Sequence, residues 1–163
     1  MEIRHSEKDD IPAIKSIYAQ PSCYAGTLQL PYPKREKWES FLGNLPDNFY
    51  SLVAVNDGLI VGQIGMEVYT APRRKHVSNI GMGVSETHQK KGIGSKLLEA
   101  MLDLAVNWLA IRRIELEVYI DNVSGKALYE KFGFEVEGEA KQYAFRNGAY
   151  VDVYYMAKVV ASA

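Results

Sequence analysis

A short basic stretch with two glycines stands directly before the most regular helical pattern of the chain. Residues 89–95 read QKKGIGS, and KLLEAMLDLAVNWL follows. The first turn of a helix has free N–H groups and a partial positive charge, and glycine lets an anion approach that main chain closely. Lysine and serine side chains add charge and a donor, so the stretch indicates an anion site, with a plain strand-to-helix turn as the alternative. The residues concerned are Lys90, Lys91, Gly92, Gly94 and Ser95.

The spacing of these glycines differs from that of two common nucleotide-binding loops. A dinucleotide-binding G-x-G-x-x-G requires a third glycine where this chain has Leu97. The sequence also lacks the GxxxxGK[ST] pattern of a Walker A loop. The loop therefore indicates neither of these nucleotide classes.

A second polar group follows the next predicted strand. Asn122 stands at the expected start of a helix, where an asparagine side chain caps free N–H groups. Tyr129 comes about two helical turns later and shares a face with Asn122. Leu128 and Phe132 lie beside this tyrosine in the sequence, so its ring is also a candidate for core packing.

Hydrophobic periodicity predicts the elements that must position these residues. The helix that crosses over from strand 76–84 to strand 113–120 implies that these two strands are parallel neighbours. The predicted order is β-α-α-β-β-β-α-β-α-β-β, an α/β fold with a mixed, twisted seven-stranded sheet and about four helices on its two faces. The predicted ranges are 2–4, 6–18, 34–43, 51–55, 59–69, 76–84, 93–108, 113–120, 123–132, 134–143 and 150–158.

Local signals refine the ends of these elements. Ser6 with Asp9 resembles a capping box at the first helix. The stretch 20–33, rich in proline and tyrosine, is predicted to be an irregular loop. Asn-Asp-Gly at 56–58 predicts a hairpin turn, and Gly133 occupies a helix C-cap position.

Length and composition are those of a single globular domain. The chain has 163 residues, of which 47% are hydrophobic and 24% charged, so we expect one domain over residues 1–163. A net charge of -1 gives no general attraction to nucleic acid or to an anionic membrane. The single cysteine, Cys23, and an N-terminus without an apolar signal core predict a cytoplasmic location. No membrane span, nucleic acid or metal is expected, and a homodimer is the expected assembly.

The two polar groups together resemble the GNAT N-acetyltransferase superfamily. Its acetyl-CoA motif, [QR]-x-x-G-x-[GA] at the opening of a helix, is matched by Gln89, Gly92 and Gly94. A second signature, N-x-x-A-x-x-L-Y-x-K-x-G-F, is matched from Asn122 to Phe134 except that Gly125 replaces the alanine. The order of elements agrees over the whole chain. The ending GEAKQYAFRNGAYVDVYYMA resembles the branch that contains amino acid, phosphinothricin, ribosomal-protein and polyamine acetyltransferases. Within that branch, stretches such as TLQLPYP and PRRKHV are most similar to bacterial L-amino acid N-acetyltransferases.

This resemblance implies how acetyl-CoA, the expected co-substrate, is held. The strand before the glycine loop leaves its neighbour, and Val84 then binds the pantetheine amide. The backbone N–H of Met82 faces the acetyl carbonyl and stabilises the developing oxyanion. Gly81 and Gly83 fit a strand left free for a ligand, or else mark a β-bulge. The implied contacts to the co-substrate also include Gln89, Lys90, Lys91, Gly92, Gly94, Ser95, Asn122, Tyr129 and Lys131.

Catalytic roles follow from the same resemblance. Tyr129 donates a proton, or a hydrogen bond, to the departing CoA thiolate. The strand position at which relatives carry a glutamate base is occupied here by Ser78 and Asn79, neither of which accepts a proton at neutral pH. A water held by Ser78 or Asn79 and the strand backbone is the expected relay, and Glu67 and His76 are weaker candidates for the base.

The acceptor amine is expected opposite the co-substrate, under the 20–33 loop and the 143–150 turn. Aromatic and apolar side chains there are candidates for its walls, unless they only anchor the loop. Arg73 and Arg74 are candidates to pair with a substrate carboxylate, or else lie on a solvated turn. The acceptor-site candidates are Tyr24, Leu28, Tyr32, Arg73, Arg74, Asn79 and Tyr143.

These features predict an enzyme that transfers acetyl from acetyl-CoA to a small primary amine by direct attack in a ternary complex. An L-amino acid is the favoured acceptor. Acetylation of a protein N-terminus or a polyamine is the alternative, although the absence of acidic residues from the 20–33 loop argues against a polyamine. A non-catalytic CoA-binding module is the third interpretation.

Overall fold

The fold is described by a computed structural model that covers residues 1–161. Seven strands form one sheet in the order β1-β2-β3-β4-β5-β7-β6. The strands are β1 Glu2–His5, β2 Phe49–Asn56, β3 Leu59–Val68, β4 Val77–Val84, β5 Arg113–Tyr119, β6 Glu135–Arg146 and β7 Ala149–Val159. The helices are α1 Ile11–Tyr18, α2 Pro21–Ala25, α3 Arg35–Leu42, α4 Ile93–Asp103 and α5 Val123–Lys131. The predicted mixed seven-stranded α/β architecture is confirmed.

Helices pack on both faces of the sheet because successive residues of each strand point to opposite sides. Apolar residues of α4, such as Leu97 and Met101, pack with Ile64 and Ile114 of the sheet in the larger core. On the opposite face, α1 and α3 pack around Val53 in a smaller core. Among the described residues, no helix has the length and hydropathy needed to cross a bilayer.

The pairing of β4 with β5 is the feature that opens the sheet. The two strands are parallel, as predicted, but they pair only from Val77–Asn79 to Arg113–Glu115. On its other side, β4 pairs with β3 over seven residues, from Ser78 to Val84, without a register shift. The glycines of β4 therefore do not mark a bulge. Beyond Asn79 the strand has a neighbour on one side only.

Two predicted segments differ from the structure in kind, whereas other elements differ only in where they begin or end. The 20–33 stretch is not wholly irregular, because it contains the short helix α2, which begins at Pro21. Proline suits the first position of a helix, where its missing N–H removes no bond. The helix predicted over 93–108 is α-helical only to Asp103, and Leu104–Trp108 form a wider π-helical turn.

The capping box before α1 is also displaced by one residue. It joins Glu7 and Asp10, which bracket a short 3₁₀ turn. Ser6 is not available for capping, because its N–H donates to the Ser51 carbonyl (2.7 Å) and its hydroxyl to the Ser51 Oγ (2.8 Å). The β1–β2 pairing therefore includes Ser6, and the cap moves to the next residue.

Asp10 ties the first helix to the edge strand. Its buried carboxylate accepts two hydrogen bonds from the Arg4 guanidinium (2.7 and 3.0 Å) and one from the Glu7 N–H (2.8 Å). The hydrogen bonds from Arg4 hold the pKa of Asp10 below its usual range, although burial opposes that shift. The folded state thus favours the ionised carboxylate.

We expect Asp10→Asn to lower the free energy of unfolding by about 1–3 kcal/mol at neutral pH, the usual worth of hydrogen bonds to a charged group. Because the folded pKa is depressed, this contribution is present above the unfolded pKa of about 3.9 and is lost as pH falls through the folded pKa. Urea unfolding at pH 7 and at pH 3 measures both effects. Asp9→Asn, at an exposed neighbour, is the matched control. An equal loss for Asp10→Asn at both pH values would contradict the role of the charge.

Candidate active site

The gap between β4 and β5 is the mouth of a cleft of about 670 Å³. It is surrounded by the ends of both strands, the glycine loop, α5 and residues 21–27, here called the α2 segment. Its lining includes nine of the residues predicted to contact the co-substrate: Met82, Val84, Gln89, Lys90, Gly92, Gly94, Ser95, Asn122 and Tyr129. The two sequence motifs, which begin 33 positions apart at Gln89 and Asn122, therefore border one cleft.

Backbone groups of β4 face this gap without a strand partner. In an antiparallel ladder, successive residues direct their N–H and C=O groups alternately toward and away from the partner strand. The Ser85 N–H donates to the Val61 carbonyl of β3 (2.9 Å), which sets the phase of that alternation. The N–H groups of Met82 and Val84 are then directed away from β3 and toward the gap, where pairing with β5 has ended.

The glycine loop reaches the cleft through a left-handed turn. Lys90 has φ 61° and Gly92, the N-cap of α4, has φ 81°. Gly94 has an ordinary backbone conformation, and a Cβ there would lie 3.4 Å from Leu128, within normal contact. The free N–H groups at the start of α4 and its helix dipole therefore border the cleft with positive potential.

Gln89 connects the end of β4 to α2 through its side-chain amide. Its side-chain amide donates to the Val84 carbonyl (3.1 Å) and to the Ser22 hydroxyl (3.2 Å). The Cys23 thiol donates to the same carbonyl (3.2 Å), and burial raises the pKa of that thiol. The Gln89 amide is thus engaged inside the protein and holds α2 against the end of β4.

Tyr129 stands on the α5 side of the cleft with its hydroxyl free of hydrogen bonds to the described residues. Its ring packs edge-on against Phe134, with centroids 5.8 Å apart. Burial raises the pKa of Tyr129 to about 12. The phenol therefore stays protonated at neutral pH. It is a suitable hydrogen-bond donor and a weak proton donor to a thiolate, whose conjugate thiol has a pKa of about 8.5.

Asn122 acts as the N-cap of α5, and its side chain accepts the Gly125 N–H (2.9 Å). A Cβ at position 125 would lie 2.5 Å from the Asn122 Nδ2 and 2.9 Å from its Oδ1. A Cβ at position 125 would therefore require the Asn122 side chain to shift from its present capping position.

Residues with no motif close the far end of the cleft. The Tyr119 hydroxyl at the end of β5 donates to the Thr27 carbonyl (2.9 Å). The Arg146 guanidinium lies 4.9 Å from the Tyr119 ring centroid and pairs with Asp121. These partners are separated by up to 92 positions in the sequence, so local patterns give no signal for them.

Several predicted residues lie outside the cleft. Lys91 and Lys131 are exposed and do not contribute to its lining. Arg74 donates to both oxygens of Glu115 (3.2 and 3.1 Å) and lies over the Tyr69 ring. Arg73 lies on the exposed turn before β4. The Arg74 guanidinium is therefore already paired with Glu115 and is not available to a substrate carboxylate.

The predicted acceptor walls are not brought together either. Leu28 and Tyr32 are 66% and 94% exposed, because the chain after α2 runs over the surface. Tyr24, on α2, is half-buried and borders neither cavity. Tyr143 packs edge-on against Tyr155, with centroids 6.2 Å apart.

A second cavity of about 250 Å³, here called the α3 pocket, lies on the opposite face of the sheet at the same gap. It shares Met82 and Thr27 with the first cleft. Its lining consists of Tyr18, Thr27, Gln29, Trp38, Phe41, Leu42, Phe49, Gln63, Gly65, Glu67, Asn79, Gly81 and Met82. Of the predicted acceptor residues, the structure places Asn79 here. The aromatic residues of α3 and β2 were not anticipated, because only the tertiary packing brings them to the gap.

The candidate proton acceptors occupy different surroundings. Ser78 is fully buried and its hydroxyl has no partner among the described residues, so it does not face the α3 pocket. Asn79 donates its side-chain amide to both oxygens of Glu117 (3.3 Å). Glu67 pairs with Asn79 across the β3–β4 ladder and is exposed at the pocket. His76 lines neither cavity.

Comparison with known proteins gives a consistent picture. Residues 13–134 match the family described as the Acetyltransferase (GNAT) family. The chain is 45% identical over 157 residues to an L-amino acid N-acetyltransferase of Escherichia coli strain K12. That alignment covers 96% of each sequence. The ribosomal-protein-alanine N-acetyltransferase from Brucella melitensis superposes with a TM-score of 0.89 at 25% identity, over 98% of this chain and 100% of that one. A phosphinothricin acetyltransferase from Sinorhizobium meliloti in complex with acetyl-CoA shares the fold, with a TM-score of 0.84 at 20% identity over 98% and 88%.

The contact between Asn122 and Gly125 leads to a test of coupling. Asn122→Ala removes the cap and is expected to cost about 1 kcal/mol of unfolding free energy. Gly125→Ala displaces the Asn122 side chain, but its better helix propensity offsets that loss by about 1 kcal/mol. In the Gly125→Ala background, Asn122→Ala should then cost almost nothing.

A double-mutant cycle by urea unfolding measures this coupling. Asn122→Asp keeps an acceptor oxygen and is the control, since it should retain most of the stability of the parent. Additive losses in the two alanine variants would show that the contact between positions 122 and 125 does not constrain the cap.

Proposed function

Because the chain belongs to the GNAT acetyltransferase family, we propose that it transfers the acetyl group of acetyl-CoA to the primary amine of an L-amino acid. The observation that carries the proposal is the gap between β4 and β5. It presents the unpaired N–H groups of Met82 and Val84 beside the glycine loop and Tyr129. The similarity to the Escherichia coli L-amino acid N-acetyltransferase, which extends over 96% of both chains, supports the acceptor class.

The first part of the proposal concerns the co-substrate, which supplies the activated acetyl group. The N–H groups at the start of α4, with Gly92, Gly94 and Ser95, bind its pyrophosphate, and Lys90 adds charge. The free N–H of Val84 binds the pantetheine arm, as a neighbouring strand would. Asn122 borders the same path while it caps α5.

The second part concerns the transfer itself. In a ternary complex the amine nitrogen attacks the acetyl carbonyl carbon and forms a carbon–nitrogen bond. The carbon–sulfur bond then breaks, and CoA leaves as the thiolate. The N–H of Met82 stabilises the negative charge that develops on the carbonyl oxygen, an interaction worth about 3 kcal/mol where comparable donors have been removed. Tyr129 donates a hydrogen bond to the departing sulfur, and its raised pKa keeps the phenol able to do so.

The third part concerns the proton that the amine loses. No carboxylate stands on β4 itself, so the proton passes through water along the open face of the sheet. Asn79 and Glu67 border that face at the α3 pocket, and Glu67 is the carboxylate best placed to receive the proton. His76, which lines neither cavity, is not part of this route.

Two other acceptors remain as alternatives within the family, a protein N-terminus and a polyamine. The sequence argument against a polyamine relied on the 20–33 loop, yet only Thr27 and Gln29 of that loop line the α3 pocket. Glu67 supplies a carboxylate there, so the acceptor class depends on the residues that line the α3 pocket and not on the loop.

We further propose that residues 1–163 act as one domain. Homodimer formation stays a prediction.

We expect Gly94→Val to weaken acetyl-CoA binding by at least tenfold. The backbone conformation at Gly94 suits any residue and its Cβ position is free of clashes, so the added methyl groups fill the cleft rather than unfold the helix. Isothermal titration calorimetry with acetyl-CoA measures the effect. Gly138→Val, on β6 and without neighbours within 4 Å of its Cβ position, is the control for the substitution. Unchanged affinity in a folded Gly94→Val protein would refute the proposed site.

Acetyl-CoA turnover with a panel of amines tests the activity, and Tyr129→Phe tests the leaving-group step. We expect turnover with apolar L-amino acids, and a fall in kcat of about 10²-fold for Tyr129→Phe with little change in acetyl-CoA affinity. The kcat of the wild type should show no loss from Tyr129 ionisation until the pH approaches 12. An unchanged kcat, with chemistry shown to limit the rate, would reduce Tyr129 to a packing residue. Acetyl-CoA binding without turnover of any amine would favour the non-catalytic module.

A further inference from the structure

The α3 pocket has an aromatic wall built from two elements that carry no sequence motif. Trp38 and Phe41 come from α3, and Phe49 comes from the start of β2. Trp38 stacks on Tyr18 (centroids 5.1 Å apart, interplanar angle 20°) and is 7% exposed. Phe41 packs edge-on against Phe49 at 5.0 Å. The rings hold one another in place and present a fixed apolar surface to the cavity.

Glycines on the two central strands form the floor of this pocket. The Phe49 ring lies over Gly65, where a Cβ would come within 2.9 Å of the ring. Gly81, opposite Gly65 on β4, has open space where its Cβ would be, with no atom of the described residues within 4 Å. A side chain at position 81 would therefore enter the cavity without meeting the protein. The space above Gly81 is available to a ligand.

The pocket opens where acetyl transfer is proposed. Gly81 directly precedes Met82, and Met82 lines both the α3 pocket and the co-substrate cleft. Pairing of β4 with β5 ends at Asn79, so the passage between the two cavities is not closed by the sheet. A molecule whose amine lies at Met82 therefore extends its remaining atoms over Gly81 toward the aromatic wall.

The charge of the lining restricts what such a molecule carries. Within the part of the chain that the structure describes, Glu67 is the one charged residue of the lining. Its other polar groups are neutral: side-chain amides, hydroxyls and the Trp38 indole N–H, which is buried and has no partner among the described residues. The Gln63 amide is already used, since it accepts from the Tyr18 hydroxyl (2.6 Å) and donates to Ser51 (3.0 Å). A polyamine would place a second ammonium beside the aromatic rings, where the one carboxylate of the lining, Glu67, is also the group proposed to receive the proton of the attacking amine. An acidic side chain would meet the Glu67 carboxylate.

We propose that the α3 pocket binds the side chain of the acceptor and selects a long apolar or aromatic one, such as that of methionine, leucine or phenylalanine. Gly81 provides the entrance, and Trp38, Phe41 and Phe49 provide the contact surface. This inference rests on the proposed acetyl transfer for the position of the amine. The pocket itself predicts a binding preference that is measurable without catalysis.

Tryptophan fluorescence measures that binding directly. The chain has two tryptophans, and Trp108 is 76% exposed and lines neither cavity, so Trp108→Phe leaves Trp38 as the sole reporter. In this background, with CoA present, we expect L-methionine and L-phenylalanine to change the Trp38 emission in a saturable way. Alanine, glutamate and spermidine should give a dissociation constant at least tenfold weaker or no response. Gly81→Val should abolish the response to methionine while acetyl-CoA affinity is unchanged.

Steady-state kinetics provides the second readout. Gly81→Val should lower kcat/KM for phenylalanine and methionine by at least tenfold and that for alanine much less. Phe41→Ala, which enlarges the pocket at a residue already 45% exposed, should lower kcat/KM for methionine severalfold. Phe145→Ala, at an exposed phenylalanine outside both cavities, is the matched control and should change neither value.

The outcomes separate this proposal from the proposed function. Turnover of amino acids with a preference that Gly81→Val does not alter would overturn the pocket assignment and leave the acetyltransferase intact. A saturable Trp38 response to apolar amino acids without turnover of any amine would support the pocket and refute the activity. Tighter binding of spermidine than of methionine would overturn the proposed side-chain class.

Discussion

The active site depends on the short pairing between β4 and β5. A parallel strand normally satisfies its backbone along its whole length, and an unpaired backbone group buried from water costs about 1–3 kcal/mol. Here the ladder stops at Asn79 and Glu115, and five more residues of β4 continue with one neighbour. The protein leaves these groups to be satisfied by a ligand or by water. Both cavities exist because the two strands diverge at this point.

The surrounding elements keep the gap open in a defined shape. Gln89 and Cys23 satisfy the Val84 carbonyl, so the end of β4 is attached to α2 and not to β5. Across the opening, Tyr119 donates to Thr27, which fixes the same α2 segment to the end of β5. The two strand ends are thus held apart by a third element that contacts both. The hydrogen bonds that prevent closure come from side chains, whereas the groups left free belong to the main chain.

The two faces of the sheet border cavities of different chemical character. On one face, the start of α4 contributes N–H groups and a dipole that favour an anionic co-substrate. On the other face, α3 contributes aromatic rings and β3 contributes Glu67, an environment for an apolar group with an amine. Met82 borders both cavities, and the proposed function has the reacting atoms meet there, where the sheet is open. Glycine at positions 81 and 83 suits this arrangement, because a Cβ at Gly83 would lie 2.9 Å from the Tyr18 ring and one at Gly81 would occupy the pocket.

The sequence by itself determined the family, the order of elements and most of the residues that line the proposed co-substrate cleft. Gly92, Gly94, Asn122 and Tyr129 were found because each belongs to a local motif at a helix end or on a helix face, and helix geometry is set over a few residues. The acceptor side was decided only by the tertiary structure. Trp38, Phe41 and Phe49 are ordinary core-type residues in sequence, and their role arises from packing between α3, β2 and β3. From the sequence, Arg74 was a candidate partner for a substrate carboxylate, but in the fold it is paired with Glu115, 41 positions away. Contacts of such long sequence separation leave no periodic or spacing signal, so they follow from the assembled sheet alone.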